Sequence, residues 1–280
     1  MEQEKKHEIR EIVRSQLKDF SDSIVKDYSL DGSKGNNIQK KKANNFLINN
    51  LGNDIVVYST LMRSLDSSLG NRIERIALEV ASASGYKVSQ GVEGFLSRET
   101  TKVIATLLES YKDKKNKKKP TSDDLKKIQE AVINSGGKSK FLNSDYLLEK
   151  KENGVTYLSL LELKAGGDLD NKKAQSEKRS ILEQYALLVS KYKDKLEDGT
   201  AHIELFFATA YNKDSLNDGS DNWSQGSVSK FFAPTELLIG RDFWNFICDD
   251  KEGWDLIKSS YKENSYLIAN SLKSVIESFN

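Results

Sequence analysis

Three side chains near the middle of the chain, Asp145, Glu162 and Lys164, are of types that can hydrolyse a phosphodiester together. Two carboxylates held close repel each other unless a cation sits between them. Ligands that are all oxygen suit a hard ion such as Mg²⁺, which keeps several of its waters. Such an ion polarises a phosphoryl oxygen and acidifies a bound water. A neighbouring lysine can orient that water and stabilise developing charge. The spacing brings the three together. Asn153-Gly154 lies between two β-rich runs and is a strong hairpin signal. If these two residues form the turn, Glu152 opposes Val155, and the same register puts Asp145 opposite Glu162. Cross-strand Cβ atoms on one face lie ~4.5–5.5 Å apart. Lys164, two residues past Glu162, shares its face.

The Glu-x-Lys pattern is weak by itself in a chain that is 30% charged, and Glu4-x-Lys6 and Glu149-x-Lys151 also match it. Asp124-x-Lys126 and Asp170-x-Lys172 match its aspartate form. Context separates Glu162, which ends the apolar run Leu158-Ser159-Leu160-Leu161. That run reads as a central strand covered on both faces. A carboxylate buried there must be paired or metal-bound. The bland alternatives are a strand-end salt bridge for Glu162 and Lys164, and a turn or cap residue for Asp145.

The rest of the chain supplies elements to hold this trio. Residues 2–28 carry Ile9, Ile12, Val13, Leu17, Phe20 and Ile24 at helical spacing. A second helical stretch covers about 43–66, and a further stripe (Ile73, Ile76, Ala77, Val80, Ala81) follows Gly70. Residues 85–99 are punctuated by glycine, and 101–110 is apolar without a clear period. Lys112–Lys119 holds six lysines in eight residues and reads as a solvated loop, for phosphate contact or as a plain linker. Thr121–Asp124 opens another helix with Leu125, Ile128, Ala131 and Val132 inward. After Lys164, Gly166-Gly167 break the strand, and Asp168 or Asp170 offers an N-cap to a helix at about 171–193. Its first turns carry Lys172, Lys173, Lys178 and Arg179. Cations oppose the helix dipole there, and a bound phosphate would relieve the conflict. The alternative is a solvated face. Residues 202–210 read as a third strand, so strand–strand–helix–strand gives an α/β core. Phe243, Trp244 and Phe246 read as core rather than base-stacking residues. The amphipathic stretch 254–279 packs on the core or forms a dimer contact.

Composition narrows the function classes. One cysteine, Cys248, excludes an internal disulfide and a Cys-based zinc site, and fits a reducing cytoplasm. Two histidines, His7 and His202, make a His-rich metal site or a Ser-His-Asp machine a poor fit. The charged N-terminus with no apolar run behind it reads as one without a secretory leader, and no apolar run reaches membrane length. The 43 basic and 42 acidic side chains are unevenly spread. Residues 1–100 carry 15 and 14, residues 101–200 carry 21 and 16, and residues 201–280 carry 7 and 12. The chain is basic where the trio lies and acidic after it, which points to a polyanionic partner.

Asp145 followed by Glu162-Leu163-Lys164 and a basic helix resembles the PD-(D/E)xK nuclease superfamily, although Ser144 stands where a proline precedes the aspartate. Glu162–Ala174, Ala208–Asn212 and Leu237–Trp244 are similar, more closely, to the TdeIII-type family of type II restriction endonucleases, over roughly residues 70–250. The resemblance implies an α/β restriction-endonuclease-like core, a mixed central sheet flanked by helices, with helical N- and C-terminal additions. Its expected divisions are a helical N-terminal region (1–110) packed on or continuous with the core, a basic loop (111–120), a nuclease core (121–250) and a C-terminal helix (251–280). It further implies a homodimeric, Mg²⁺-dependent enzyme cutting both strands of a short palindromic double-stranded DNA site, with GGNCC as a candidate pattern. Asp145 and Glu162 would hold the metal and Lys164 would serve the water. Lys172, Lys173, Lys178 and Arg179 would contact DNA. Glu74 or Glu79 could add an upstream acid, and Gln175 could support the lysine. A repair or junction nuclease, or a non-catalytic DNA-binding protein, are the competing expectations.

Overall fold

The computed structural model describes residues 1–279 except 38–39, 41–44, 52, 113–117, 135–137, 143–145, 167–168, 215–218 and 221–222. Its principal elements are α1 (Gln3–Tyr28), α2 (Asn53–Ala83), β1 (Lys87–Ser89), β2 (Val92–Leu96), α3 (Arg98–Lys112), α4 (Ser122–Ile133), β3 (Lys138–Leu142), β4 (Tyr146–Glu152), β5 (Val155–Lys164), α5 (Asn171–Lys191), β6 (Ala201–Thr209), β7 (Leu237–Ile239), α6 (Arg241–Ile247) and α7 (Gly253–Glu277). They fall into two compact units, one of residues 1–83 with 252–280 and one of residues 84–251. Residues 84–110, expected with the helical N-terminal region, thus belong to the unit that carries the sheet.

The first unit is helical. Ile9, Val13, Leu17, Phe20 and Ile24 bury one face of α1. The C-terminal helix α7 packs along α1, and Ser21 Oγ donates to the Leu267 carbonyl at 3.0 Å. Helix α2 runs unbroken through Gly70, where the sequence reads two separate stretches. An interior glycine costs about 1 kcal/mol. Burial of Val56, Val57, Leu61, Ile76, Ala77, Val80 and Ala81 along the helix outweighs it.

The second unit is built on a five-stranded mixed sheet in the order β1-β4-β5-β6-β7. Strands β1, β4 and β5 are antiparallel neighbours, while β5, β6 and β7 run parallel. A separate antiparallel pair joins β2 to β3. The hairpin is the one expected: Asn153 (φ 50°) and Gly154 (φ 82°) take the two left-handed positions of a type I′ turn. Glu152 pairs with Val155, and the register holds without slip to Tyr146 opposite Leu161. Leu158 through Leu163 are all buried, as a strand covered on both faces requires. Residues 98–112, including the apolar 101–110, form a helix capped by Ser97, whose Oγ accepts from the Thr100 amide at 2.9 Å. The Asp124 carboxylate closes α4 by accepting from the Thr121 amide at 3.2 Å.

Helix α5 crosses from β5 to β6 and is the pillar of this unit's core. Ile181, Leu182, Tyr185, Ala186, Leu187, Leu188 and Val189 are buried along it. Strand β2 lies so close to α5 that a Cβ on Gly94 would sit 2.2 Å from the Leu187 carbonyl oxygen. Phe95 continues the contact, its amide donating to Ser190 Oγ at 3.3 Å. Gly94→Ala must push two backbones apart and should lower stability by about 1–3 kcal/mol, as overpacking does. Gly70→Ala, with open space around it, should stabilise by about 0.5–1 kcal/mol. Thermal unfolding of the two variants should therefore move Tm in opposite directions.

Candidate active site at the end of strand β5

Strand β5 runs apolar until its last turn of pleat, then places Glu162 and Lys164 on one face. Glu162 is 6% exposed, and the Lys164 side chain is 31% exposed. The Lys164 Nζ donates to Glu162 Oε1 at 2.5 Å. A buried carboxylate without a partner costs several kcal/mol, so the amine is a condition of Glu162 being there. The neighbouring parallel strand fixes the backbone beneath them, pairing Glu162 with Phe207 and Lys164 with Thr209. The Ala210 amide then donates to the Ala165 carbonyl at 3.0 Å. The Trp244 indole donates to the Ala210 carbonyl at 2.8 Å, so Trp244 is a buried brace of this strand end. A Cβ at Gly166 would meet the Tyr211 hydroxyl at 2.5 Å, so any larger residue there must displace the half-exposed tyrosine ring.

The trio is seen in part. Asp145 and Asp168 lie outside the described residues. Asp170 caps α5, its carboxylate accepting from the Lys173 amide at 2.8 Å. From the first turns of α5 comes a residue that sequence reasoning missed: Glu177 Oε1 lies 3.5 Å from Lys164 Nζ. Lys164 thus sits between two carboxylates. Gln175, the residue considered for that place, lies on the Glu109 side of α5 instead, near enough to that carboxylate to act on its charge. A helical turn carries 3.6 residues, and residues 175 and 177 therefore face directions some 200° apart on α5. Twelve residues separate Lys164 from Glu177, so no local pattern marks the pair. Glu74 and Glu79 both belong to α2, in the other unit, where Glu79 accepts from Gln16 Nε2 at 2.7 Å.

The basic face of α5 divides. Lys172 and Lys173 are exposed and Arg179 is half-buried. Lys178 is not at the surface: it is 1% exposed, and its Nζ donates to Glu236 Oε2 at 2.7 Å. The same oxygen accepts from the Ala233 amide at 2.8 Å, and the amine lies 4.8 Å from the centre of the Phe232 ring. Burial pushes the Lys178 pKa down and the Glu236 charge works against that shift. Lys178 is therefore a core ion pair that ties α5 to the turn before β7, and it is withdrawn from the expected DNA contacts. Lys118, from the lysine-rich loop, also has an internal partner, Asp124, at 2.7 Å. Burial acts to raise the Asp124 carboxyl, but hydrogen bonds from Lys118 and Tyr111 outweigh it and hold it below the usual carboxylate range.

The donor set fits a hard divalent cation. Glu162 offers oxygen from a buried carboxylate, and Mg²⁺ takes one or two carboxylates and completes its shell with water and substrate phosphate. Among the described residues no group of three or more His, Cys, Asp or Glu side chains forms a metal cluster. No helix among the described residues is long and apolar enough to cross a membrane.

Two measurements follow from the division of α5. Glu236→Ala strands a buried ammonium and should destabilise the protein by about 3–5 kcal/mol in denaturant unfolding, whereas Lys178→Met combined with Glu236→Leu should cost far less. Reversing the charges of Lys172 and Lys173 removes cations that oppose the α5 dipole, so it should leave the protein no less stable to unfolding while weakening DNA binding. It should also reduce the salt slope of binding by about one unit for each phosphate no longer neutralised.

The chain matches the family model described as type II restriction endonuclease HinfI over residues 5–265. No curated protein and no solved structure matches it. The matching family is thus HinfI rather than the TdeIII type, and its span takes in the helical unit as well as the sheet. Short stretches around the strand ends carried the TdeIII resemblance, and shared site chemistry does not separate families built on one core. With the mixed sheet, its flanking helices and the acid–lysine pair at the strand end all in place, the chain belongs to the HinfI family of type II restriction endonucleases, site-specific enzymes that hydrolyse DNA.

Proposed function

We propose that this endonuclease is Mg²⁺-dependent, acts as a homodimer, and cuts both strands of a short palindromic double-stranded DNA site, with its centre at Asp145, Glu162 and Lys164. The observation that carries the reading is the buried Glu162 carboxylate held 2.5 Å from Lys164 at the end of a central strand. The register supports Asp145: it immediately precedes Tyr146, whose partner Leu161 immediately precedes Glu162. Glu162 and Asp145 would hold the cation, which supplies polarisation of the scissile phosphate and a more acidic water. Lys164 orients the attacking water and stabilises charge that develops on the phosphoryl oxygens. Burial of Glu162 keeps bulk water from screening these charges. Lys172, Lys173 and Arg179, near the start of α5, contact backbone phosphates and set position rather than sequence.

Dimerisation rests on symmetry: one chain brings one such centre, and a palindrome offers two equivalent scissile bonds related by a two-fold axis. The GGNCC pattern rests on the TdeIII-type resemblance alone. A reducing cytoplasm suits Cys248, a buried cysteine outside any disulfide.

Digestion of a sequenced plasmid with Mg²⁺, followed by mapping of the ends, tests the reading. The wild-type chain should yield discrete fragments whose ends share one palindrome. Lys164→Ala should lower cleavage by roughly 10²–10⁴-fold and keep DNA binding. Full activity in Glu162→Ala would remove this site from consideration, and intact plasmid with the wild-type chain would remove the Mg²⁺-dependent reading.

A further inference from the structure

Lys164 meets anionic partners on two different elements, and they are unequal. Glu162, on its own strand, is at 2.5 Å and nearly buried; Glu177, on α5, is at 3.5 Å with its side chain 26% exposed. An ammonium this close to Glu162 competes with any other cation for the same carboxylate, since like charges repel. The amine has a four-carbon stem and can move by rotating about its bonds. Glu177 cannot move far at its backbone. The next residue, Lys178, is locked in the core by Glu236, and Asp170 caps the same helix two turns earlier.

We propose that Glu177 is the alternate counter-ion of Lys164: when a divalent cation takes the Glu162 carboxylate, the amine shifts from Glu162 to Glu177. Glu177 thereby tunes metal affinity without being a ligand. It offers a partly buried lysine a second carboxylate when the cation takes the first, and it holds the amine beside the metal, where the hydrolytic reading needs it. The proposal rests on the reading of Glu162 as a metal ligand.

A double-mutant cycle separates this exchange from a simple field effect. Mn²⁺ alone is titrated into the full-length protein, without DNA, and free ion is followed by its electron paramagnetic resonance signal. Lys164→Met should tighten Mn²⁺ binding, because the competing ammonium is gone. Glu177→Gln should weaken it roughly 10-fold, within the range for residues that orient a metal ligand from behind. In the Lys164→Met background, Glu177→Gln should change affinity less than about twofold, and Glu177→Asp should restore part of the loss in the wild-type background. Equal weakening in both backgrounds would overturn the proposal, since Glu177 would then act only as a negative charge near the ion. No effect in either background would overturn it as well. If Glu162→Gln binds Mn²⁺ like the wild type, the underlying assignment of Glu162 fails, and the exchange with it. If Glu162→Gln loses Mn²⁺ while the cycle shows no coupling, the site stands and only the role of Glu177 falls.

Discussion

A carboxylate that ends an apolar strand must be neutralised where it sits, and most of the second unit serves that requirement. Glu162 is buried because β5 lies between β4 and β6, and its charge is tolerated because Lys164 follows two residues later on the same face. The strand period makes that pairing automatic once the strand forms. The parallel partner β6, braced at its end by Trp244, keeps the two from fraying. Helix α5 covers the sheet and brings Glu177 to the other side of the amine's hydrogen-bonding range. A buried pair of this kind adds little net stability. In the proposed function its value would lie in holding a carboxylate in a place with low dielectric, where interactions with a cation and a phosphate are strong.

What could be read from the sequence was local. Asn-Gly specifies a two-residue turn, the turn sets the register, and the register fixes which side chains share a face; each step is short-range, so the hairpin, β5 and the Glu162–Lys164 pair were all legible. The caps at Thr121 and Asp170 were legible for the same reason. Long-range matters were not. Charge alone does not separate Lys178 from Lys172 and Lys173, because the partner that takes Lys178 inward, Glu236, is 58 residues away. Glu177 was hidden by a crossover loop and two turns of helix. Gly70 misled as a breaker because the propensity cost of one glycine is small beside the burial along α2. Residues 101–110 were ambiguous because a short apolar run suits a strand or a helix, and Ser97 settles it as a helix start.

Charge distribution takes on a different meaning beside these contacts. Residues 101–200 remain the basic part of the chain, but Lys118, Lys164 and Lys178 spend their charge on internal carboxylates. The field available to a polyanion is therefore carried by fewer side chains than the count implies, the exposed Lys172 and Lys173 among them. Membership of the HinfI family, across both units, indicates that the helical unit is part of the enzyme rather than an appendage.

In the proposed function the cation required for DNA cleavage is held at the end of β5. Replacing Mg²⁺ by Fe²⁺ and adding ascorbate and peroxide generates hydroxyl radicals at the bound ion, which cut the nearby polypeptide. Scission should concentrate around residues 162–165 and 144–146 and be suppressed by excess Mg²⁺. Scission concentrated elsewhere, or the same pattern in Glu162→Gln, would contradict it.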